Sequence, residues 1–188
     1  RVDQLGQQAA NLIKQHLTFS RQTPSEKHPI NLATLVKETT KILERTLPET
    51  IHVITETYPK CPSIEADTTQ MQQVLMNLCV NARDAMPNGG TLRISLEEIS
   101  ADRETDIHGG IFSGPYVRLQ ISDTGTGIPA AVVDRIFEPF YTTKEVGKGT
   151  GLGLSIIHGI VKEHGGHIQL ESSPETGTTF RLYFAAIQ

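Results

Sequence analysis

The stretch that decides the fold is residues 67–86, which read DTTQMQQVLMNLCVNARDAM. Asp67 is suited to cap a helix that runs to Met86, and the Pro87-Asn88-Gly89-Gly90 sequence would end it. At about 100° per residue, two stripes run along this helix. The apolar stripe predicts a core face and consists of Met71, Val74, Leu75, Leu78, Ala82 and Ala85. The polar stripe consists of Gln70, Gln73, Asn77, Asn81 and Asp84.

The polar stripe is unusual because it carries mostly amides, where a solvated helix face would carry lysines and glutamates. Met76 and Val80 border it on its far side. Amides with one carboxylate suit a hard cation that keeps several waters, such as Mg²⁺. A buried amide network satisfied by the backbone is the alternative, and the helix alone does not decide between them.

Outward from this helix, short strands alternate with helices. Asn31 is suited to cap a helix that ends near Arg45. A short helix is predicted near 129–136 and a longer one at about 150–164. Strand patterns lie at 51–56, 92–97, 117–123, from 168 onward and at 180–184. Several joins are too short for parallel crossovers, so we predict an α/β two-layer sandwich with a mixed, mostly antiparallel sheet and helices on one face.

The first 30 residues differ from the rest. Residues 1–22 show a narrow apolar seam, typical of a helix that packs on its own domain or of the end of a dimerisation hairpin. Residues 23–30 are polar with two prolines and are interpreted as a linker, so that residues 31–188 form the main domain. The chain opens with Arg1 and its first methionine is Met71, so we expect it to be a piece of a longer protein.

Composition excludes several classes of protein. The chain has 188 residues and a net charge of −4, so it has no general basic footprint for nucleic acid. No apolar run approaches the roughly 18 residues of a membrane span. The two cysteines, Cys61 and Cys79, form no CxxC pair, and HExxH is absent, which argues against a zinc site.

Two glycine-rich segments could contact a ligand. Asp123-Thr-Gly-Thr-Gly127 ends a predicted strand, where a carboxylate could accept from an amine; an ordinary turn is the alternative. Gly147-Lys-Gly-Thr-Gly-Leu-Gly-Leu154 opens a helix, which suits an anion; a flexible surface loop is the alternative. The second segment fits neither a dinucleotide fingerprint nor a Walker A loop.

Four motifs together resemble the sensor histidine kinases. Asn77-Leu-Cys-Val-Asn-Ala-Arg-Asp84 is similar to their N box, and Asp123-Thr-Gly-Thr-Gly127 to their first glycine box. Phe137-Glu-Pro-Phe-Tyr-Thr-Thr-Lys144 is similar to their phenylalanine-rich box, and Gly149-Thr-Gly-Leu-Gly-Leu154 to their second glycine box. All four follow the family order. Residues 1–66 resemble the family mainly in layout.

The resemblance implies the ATP-binding sandwich shared with gyrase, a heat-shock chaperone and a mismatch-repair ATPase. Asp123 would bind the adenine amino group, Asn81 would ligate Mg²⁺, and residues 141–148 would form an ATP lid. The glutamate that activates water in hydrolysing relatives is replaced by Asn77, and an amide cannot act as a general base. The implied ATP site consists of Asn77, Asn81, Asp84, Asp123, Gly125, Gly127, Ile128, Phe137, Lys144, Lys148, Gly149, Thr150, Gly151, Leu152, Gly153 and Leu154.

Thr178 is added to this site by strand parity. It shares the inward parity of Phe180, Leu182 and Phe184. Its hydroxyl is therefore predicted to meet Asp123 and to hold that carboxylate ionised.

Two features depart from the family pattern. Many members carry a basic residue where Asp84 stands, so Lys144 and Lys148 become the candidates for neutralising phosphate. None of the seven histidines is followed by an acidic residue, so we expect the phosphoacceptor histidine to lie before Arg1.

The sequence therefore predicts the catalytic part of a protein-histidine kinase, which donates the γ-phosphate of Mg-ATP in two-component signalling. Its implied partners are the phosphoacceptor domain of a homodimeric parent and the receiver domain of a response regulator. The implied location is the cytoplasm, with the parent either membrane-anchored or not, and this piece itself is expected to contact neither nucleic acid nor a membrane. An ATP-driven conformational clamp and an anti-sigma-type serine kinase on the same fold are the alternatives.

Overall fold

A computed structural model describes residues 25–58, 61–99, 115–144, 149–174 and 176–187. The predicted hairpin end at 1–22 lies outside these residues. The helices are α1 (Leu32–Thr46), α2 (Thr68–Ala85) and α3 (Gly153–Glu163), with a 3-10 helix at Ala130–Arg135. The strands are β1 (His28–Ile30), β2 (Ile51–Thr57), β3 (Ser63–Ala66), β4 (Gly90–Ile99), β5 (Tyr116–Asp123), β6 (His167–Ser173) and β7 (Gly177–Ile187).

The strands form one seven-stranded sheet in the order β1-β3-β7-β5-β4-β2, and β6 also pairs with β7. Only β2 and β4 run parallel among the described pairs, so the predicted mixed and mostly antiparallel sheet is confirmed. β7 contacts three other strands, β3, β5 and β6. The last strand in the described sequence is therefore central to the sheet.

One face of the sheet is buried beneath the helices. On β4, β5 and β7 every second residue is buried, as the period of a strand requires. The buried apolar residues that share this parity are Leu92, Ile94, Leu96, Val117, Leu119, Ile121, Phe180, Leu182 and Phe184, whereas Tyr183 of β7 is buried with the opposite parity. The other face carries Arg–Glu ion pairs between neighbouring strands, namely Arg93–Glu56, Arg118–Glu97 and Arg181–Glu171. Helices on one face are therefore confirmed.

The two longest helices begin where local capping predicts. The side chain of Asn31 accepts hydrogen bonds from the backbone N–H groups of Ala33 and Thr34 at the start of α1. Asp67 accepts from the N–H of Gln70 at the start of α2. Each cap satisfies donors that a helix leaves free, which is typically worth about 1 kcal/mol. Among the described residues, no helix is both long enough and apolar enough to cross a bilayer.

Two short strands differ from the sequence prediction. Residues 28–30, placed in the linker by the sequence, form β1 and pair with β3, which was not predicted either. β3 in turn pairs with the end of β7, at Ala186 and Ile187. These strands depend on backbone hydrogen bonds to distant segments, which the residues of the short strands do not reveal. The sheet therefore includes part of the predicted linker.

The third helix starts three residues later than predicted. The pattern placed its start at about Thr150, whereas α3 begins at Gly153. Gly151 has φ of +67°, which a right-handed helix cannot contain. The glycine loop therefore stays outside the helix.

Replacing Gly177 with alanine is expected to lower the free energy of unfolding by about 2–4 kcal/mol. Gly177 has φ of +84°, and a Cβ atom there would lie 2.1 Å from the carbonyl oxygen of Asp123. Urea denaturation measures the change. Gly159→Ala is the matched control, because a Cβ there meets nothing within 4 Å and the helix should gain up to about 1 kcal/mol. Equal stability of Gly177→Ala and the wild type would contradict the prediction.

Candidate functional site

Asp123 ends β5 and lies opposite Thr178 of β7. The residue is only 8% exposed. Its Oδ1 accepts a hydrogen bond of 2.8 Å from the backbone N–H of Gly125, and the backbone N–H of Thr178 also donates to the carboxylate. Burial raises the pKa of Asp123, and the two backbone hydrogen bonds oppose this rise without cancelling it. A carboxylate has about four acceptor positions, so it can still accept from a ligand.

The predicted role of the Thr178 hydroxyl was wrong. Strand parity does turn Thr178 inward, and the residue is buried. Within the described residues, however, its hydroxyl bonds to the hydroxyl of Ser172 at 2.9 Å, and it is the backbone N–H that reaches Asp123. The pKa of the carboxyl is raised rather than lowered, because burial outweighs these hydrogen bonds.

Ser172 is a site residue that was not predicted from the sequence. Its hydroxyl accepts from the backbone N–H of Ile128 at 2.8 Å and donates to the carbonyl oxygen of Gly177 at 3.0 Å. Because its single proton is used on Gly177, Thr178 must be the donor in the hydroxyl pair. Ser172 has the same strand parity as Ile168 and Leu170, and a serine at such a position is a signal that could have found it. Ser172 therefore connects the loop that follows Asp123 to the β6–β7 hairpin.

The loop after Asp123 packs directly on the end of α2. The backbone N–H of Thr126 donates to the carbonyl oxygen of Ala85 at 2.9 Å. A Cβ atom on Gly125 would lie 2.5 Å from that same oxygen, and one on Gly127 would lie 2.0 Å from the carbonyl oxygen of Ser173. Glycine is therefore required at both positions, and the contacts fix the loop between α2 and the hairpin.

Asn77 and Asn81 lie one turn apart on α2, and both are half-buried. Within the part of the chain that the structure describes, neither side-chain amide has a hydrogen-bond partner. The described residues therefore do not form the buried amide network that was the alternative interpretation. The Nδ2 atom of Asn81 lies 3.9 Å from where a Cβ of Gly153 would be, so this amide is beside the first residue of α3.

Asn81 has the chemistry that a magnesium ligand needs. An unpartnered amide oxygen is a hard donor, which Mg²⁺ accepts together with waters and ligand phosphates. In the described ranges, no three side chains of His, Cys, Asp or Glu lie together as an alternative metal site.

Helix α3 starts without a side-chain cap. The N–H of Leu152 donates to the hydroxyl of Thr150 at 3.4 Å, and that of Ile156 donates to the carbonyl oxygen of Leu152 at 3.0 Å. No such partner is seen among the described residues for the N–H groups of 153–155, so they remain available to a ligand or water. Free N–H groups and the helix dipole together favour an anion at this end.

The phenylalanine-rich segment is attached to the glycine loop through the backbone. The N–H of Phe140 donates to the carbonyl oxygen of Gly151 at 2.9 Å, and a Cβ on Gly151 would lie 2.3 Å from the carbonyl carbon of Phe140. Phe140 itself has φ of +68° and is 65% exposed. Phe137 is half-buried instead, with its ring 5.2 Å from that of His158. Leu152 is buried and Leu154 packs against the core, which fixes the other side of the loop.

Two cations surround the carboxylate of Asp84. Lys144 Nζ lies 2.6 Å from Oδ2, and the guanidinium of Arg83 donates to Oδ1 at 2.7 and 2.9 Å. Partial burial acts to raise the pKa of Asp84, but the hydrogen bonds and charges of Lys144 and Arg83 outweigh it and lower the pKa. A Cβ on Gly149 would lie 3.1 Å from Lys144, so Gly149 packs on this lysine. Lys148, the other predicted phosphate-neutralising lysine, lies outside the described residues.

The chain is similar to known proteins of the family predicted from its motifs. Residues 66–187 match the family model described as histidine kinase-, DNA gyrase B- and HSP90-like ATPase. The chain is 40% identical over 183 residues to the sensor kinase CckA of Brucella abortus, an alignment that covers 97% of this chain and 19% of CckA. The chain thus spans about a fifth of the length of that relative.

Solved structures of histidine kinases also match. ThkA in complex with the response regulator protein TrrA gives a TM-score of 0.72 at 29% identity, covering 99% of this chain and 49% of that one. The catalytic domain of ThkA alone gives 0.70 at 32% identity, covering 86% and 96%. ShkA in complex with AMPPNP gives 0.67 at 25% identity, covering 86% and 32%.

Proposed function

Because this chain belongs to the histidine kinase-, DNA gyrase B- and HSP90-like ATPase family, we propose that it binds ATP with Mg²⁺ and donates the γ-phosphate to a histidine of its parent protein. In this proposal it is the catalytic domain of a sensor histidine kinase in two-component signalling. That assignment agrees with its likeness to CckA, ThkA and ShkA.

The observation that carries the proposal is the unpartnered amide of Asn81 beside the uncapped start of α3. The amide oxygen would hold Mg²⁺, while the free N–H groups at 153–155 would bind phosphate oxygens. Gly149, Gly151 and Thr150 would shape the loop around these oxygens. The metal would neutralise phosphate charge, and Lys144 and Lys148 would add to that effect.

Asp123 would select adenine at the other end of the site. Its carboxylate would accept a hydrogen bond from the exocyclic amine, whereas guanine presents an oxygen there, and two acceptors repel. Gly125, Gly127, Ile128 and Thr178 would fix this carboxylate and its loop. Phe137, whose ring packs against His158 of α3, would support the ATP site from the side of that helix.

Asn77 favours phosphate transfer over hydrolysis. An amide side chain cannot accept a proton from water, so it supplies no general base. This argues against an ATP-driven clamp, which needs hydrolysis for each cycle. A serine kinase on the same fold remains a weaker candidate, because the matched relatives and structures named above are histidine kinases.

The proposed partners follow from the likeness to ThkA, which was solved with the response regulator protein TrrA. The parent would be a cytoplasmic-facing homodimer whose helical hairpin carries the acceptor histidine. A response regulator receiver domain would then take the phosphoryl group from that histidine. The net charge of −4 offers no support for nucleic acid as a partner.

Asp123→Asn is expected to weaken the binding of Mg-ATP by about 10- to 100-fold. A hydrogen bond to a charged group is worth about 1.5–3 kcal/mol, and the substitution loses that charged acceptor. Isothermal titration calorimetry gives the two affinities. Asp134→Asn, at an exposed position of the 3-10 helix, removes the same charge and should leave ATP affinity unchanged. Equal affinity of Asp123→Asn and the wild type would exclude the assigned role.

Asn81→Ala is expected to weaken the binding of Mg-ATP much more than the binding of adenosine. The metal and phosphates depend on this amide, whereas adenosine contacts only the Asp123 end of the site. Titrations with both ligands, with and without Mg²⁺, measure the difference. Asn88→Ala, just beyond α2, is the control. If both ligands lose affinity equally, Asn81 has a structural role only.

Incubated with labelled Mg-ATP, the chain should transfer phosphate only to an added helical hairpin that carries an acceptor histidine. Its own seven histidines lack the acidic neighbour of a family acceptor, and Asn77 supplies no base for hydrolysis. Transfer to a separate hairpin should be weak, because the covalent link that raises effective concentration is missing. Stable label on the chain itself, or hydrolysis at about 1 per second, would contradict the proposal.

A further inference from the structure

The ion pair between Lys144 and Asp84 lies at the edge of the proposed ATP site. Asp84 is one turn beyond Asn81 on α2, and Lys144 reaches it from a segment 60 residues further along the chain. At 2.6 Å the contact is a short, charge-assisted hydrogen bond, and both side chains are about one-third exposed or less. Lys144 is thus held by a carboxylate at the edge of the proposed site.

A triphosphate would compete with Asp84 for this lysine. The ammonium group of lysine is a compact charge that binds phosphate oxygens and carboxylates alike. If Lys144 moves to phosphate, Asp84 keeps its two hydrogen bonds from Arg83 and remains partly exposed to water. The carboxylate is therefore not left as an isolated charge, and the exchange costs little beyond the lost ion pair.

We infer that Lys144 is paired with the Asp84 carboxylate before ATP binds. When ATP binds, the Lys144 ammonium group leaves Asp84 and pairs with the phosphates instead. Asp84 is then a positioning residue that acts through Lys144 and lowers the affinity for triphosphate. After phosphate transfer the diphosphate carries less charge, so Lys144 returns to Asp84 and product release is favoured. The inference rests on the proposed function and specifies how affinity is set within the same site.

A double-mutant cycle tests the exchange. Calorimetry gives the affinities of the wild type, Asp84→Asn, Lys144→Met and the double variant for Mg-ATP and for adenosine. Asp84→Asn should tighten Mg-ATP binding by about 3- to 6-fold, as expected for a partly exposed ion pair, while Lys144→Met should weaken it. In the Lys144→Met background, Asp84→Asn should have no further effect, because its action depends on the lysine.

Three controls separate this mechanism from other effects. Asp134→Asn removes the same charge from an exposed position away from the pair and should leave Mg-ATP affinity unchanged. Asp84→Glu keeps a carboxylate for Lys144, so it should lack the tightening of Mg-ATP binding expected for Asp84→Asn. Adenosine has no phosphates, so its affinity should be the same in all these variants, and this also shows that they are folded.

Several outcomes would overturn the inference. An equal gain from Asp84→Asn with and without Lys144 would mean simple repulsion between Asp84 and the phosphates. Unchanged or weaker Mg-ATP binding in Asp84→Asn would mean that Asp84 supports the ligand directly or has no part in binding. A wild-type chain that binds neither Mg-ATP nor adenosine would overturn the proposed function itself, and the inference with it.

Discussion

The contact between the backbone of Gly177 and the carbonyl group of Asp123 is the constraint on which the site depends. A Cβ atom at Gly177 would lie 2.1 Å from that oxygen, and a Cβ atom at Gly125 would lie 2.5 Å from the carbonyl oxygen of Ala85. These contacts bring β5, β7 and the end of α2 to one point. As a result the Asp123 carboxylate is held by backbone N–H groups, which cannot rotate away as side chains can.

The site uses few formal charges near its proposed metal and phosphates. Asn77 and Asn81 are neutral, and the start of α3 offers N–H groups instead of lysines. Such a set would bind an anion without supplying a proton acceptor, which fits the proposed transfer of phosphate from ATP to a separate acceptor. Among the described residues, the charged side chains nearest to this set lie at the edge of the site, where Arg83 and Lys144 both form ion pairs with Asp84.

Much of this arrangement could be predicted because it is locally encoded. Asn31 and Asp67 cap helices through hydrogen bonds to residues two or three positions away, and alternation along β5 places Asp123 on the buried face. The remaining features depend on tertiary contacts. The strands at 28–30 and 63–66 are held by distant backbone pairing, and the partner of Lys144 is 60 residues away. For Thr178 the direction of the side chain was predictable, but Ser172 decided which atom faces Asp123.

The central position of β7 has a consequence for synthesis of the protein. A nascent chain exposes β5, with Val117, Leu119 and Ile121, before its neighbour β7 has been translated. At roughly 5–20 residues per second, the ribosome needs several seconds to add the intervening residues. Until then one edge of β5 is unpaired and its apolar side chains lack their cover, a condition that favours aggregation and engages chaperones. The carboxylate of Asp123 thus reaches its final environment only when the end of the domain has left the ribosome.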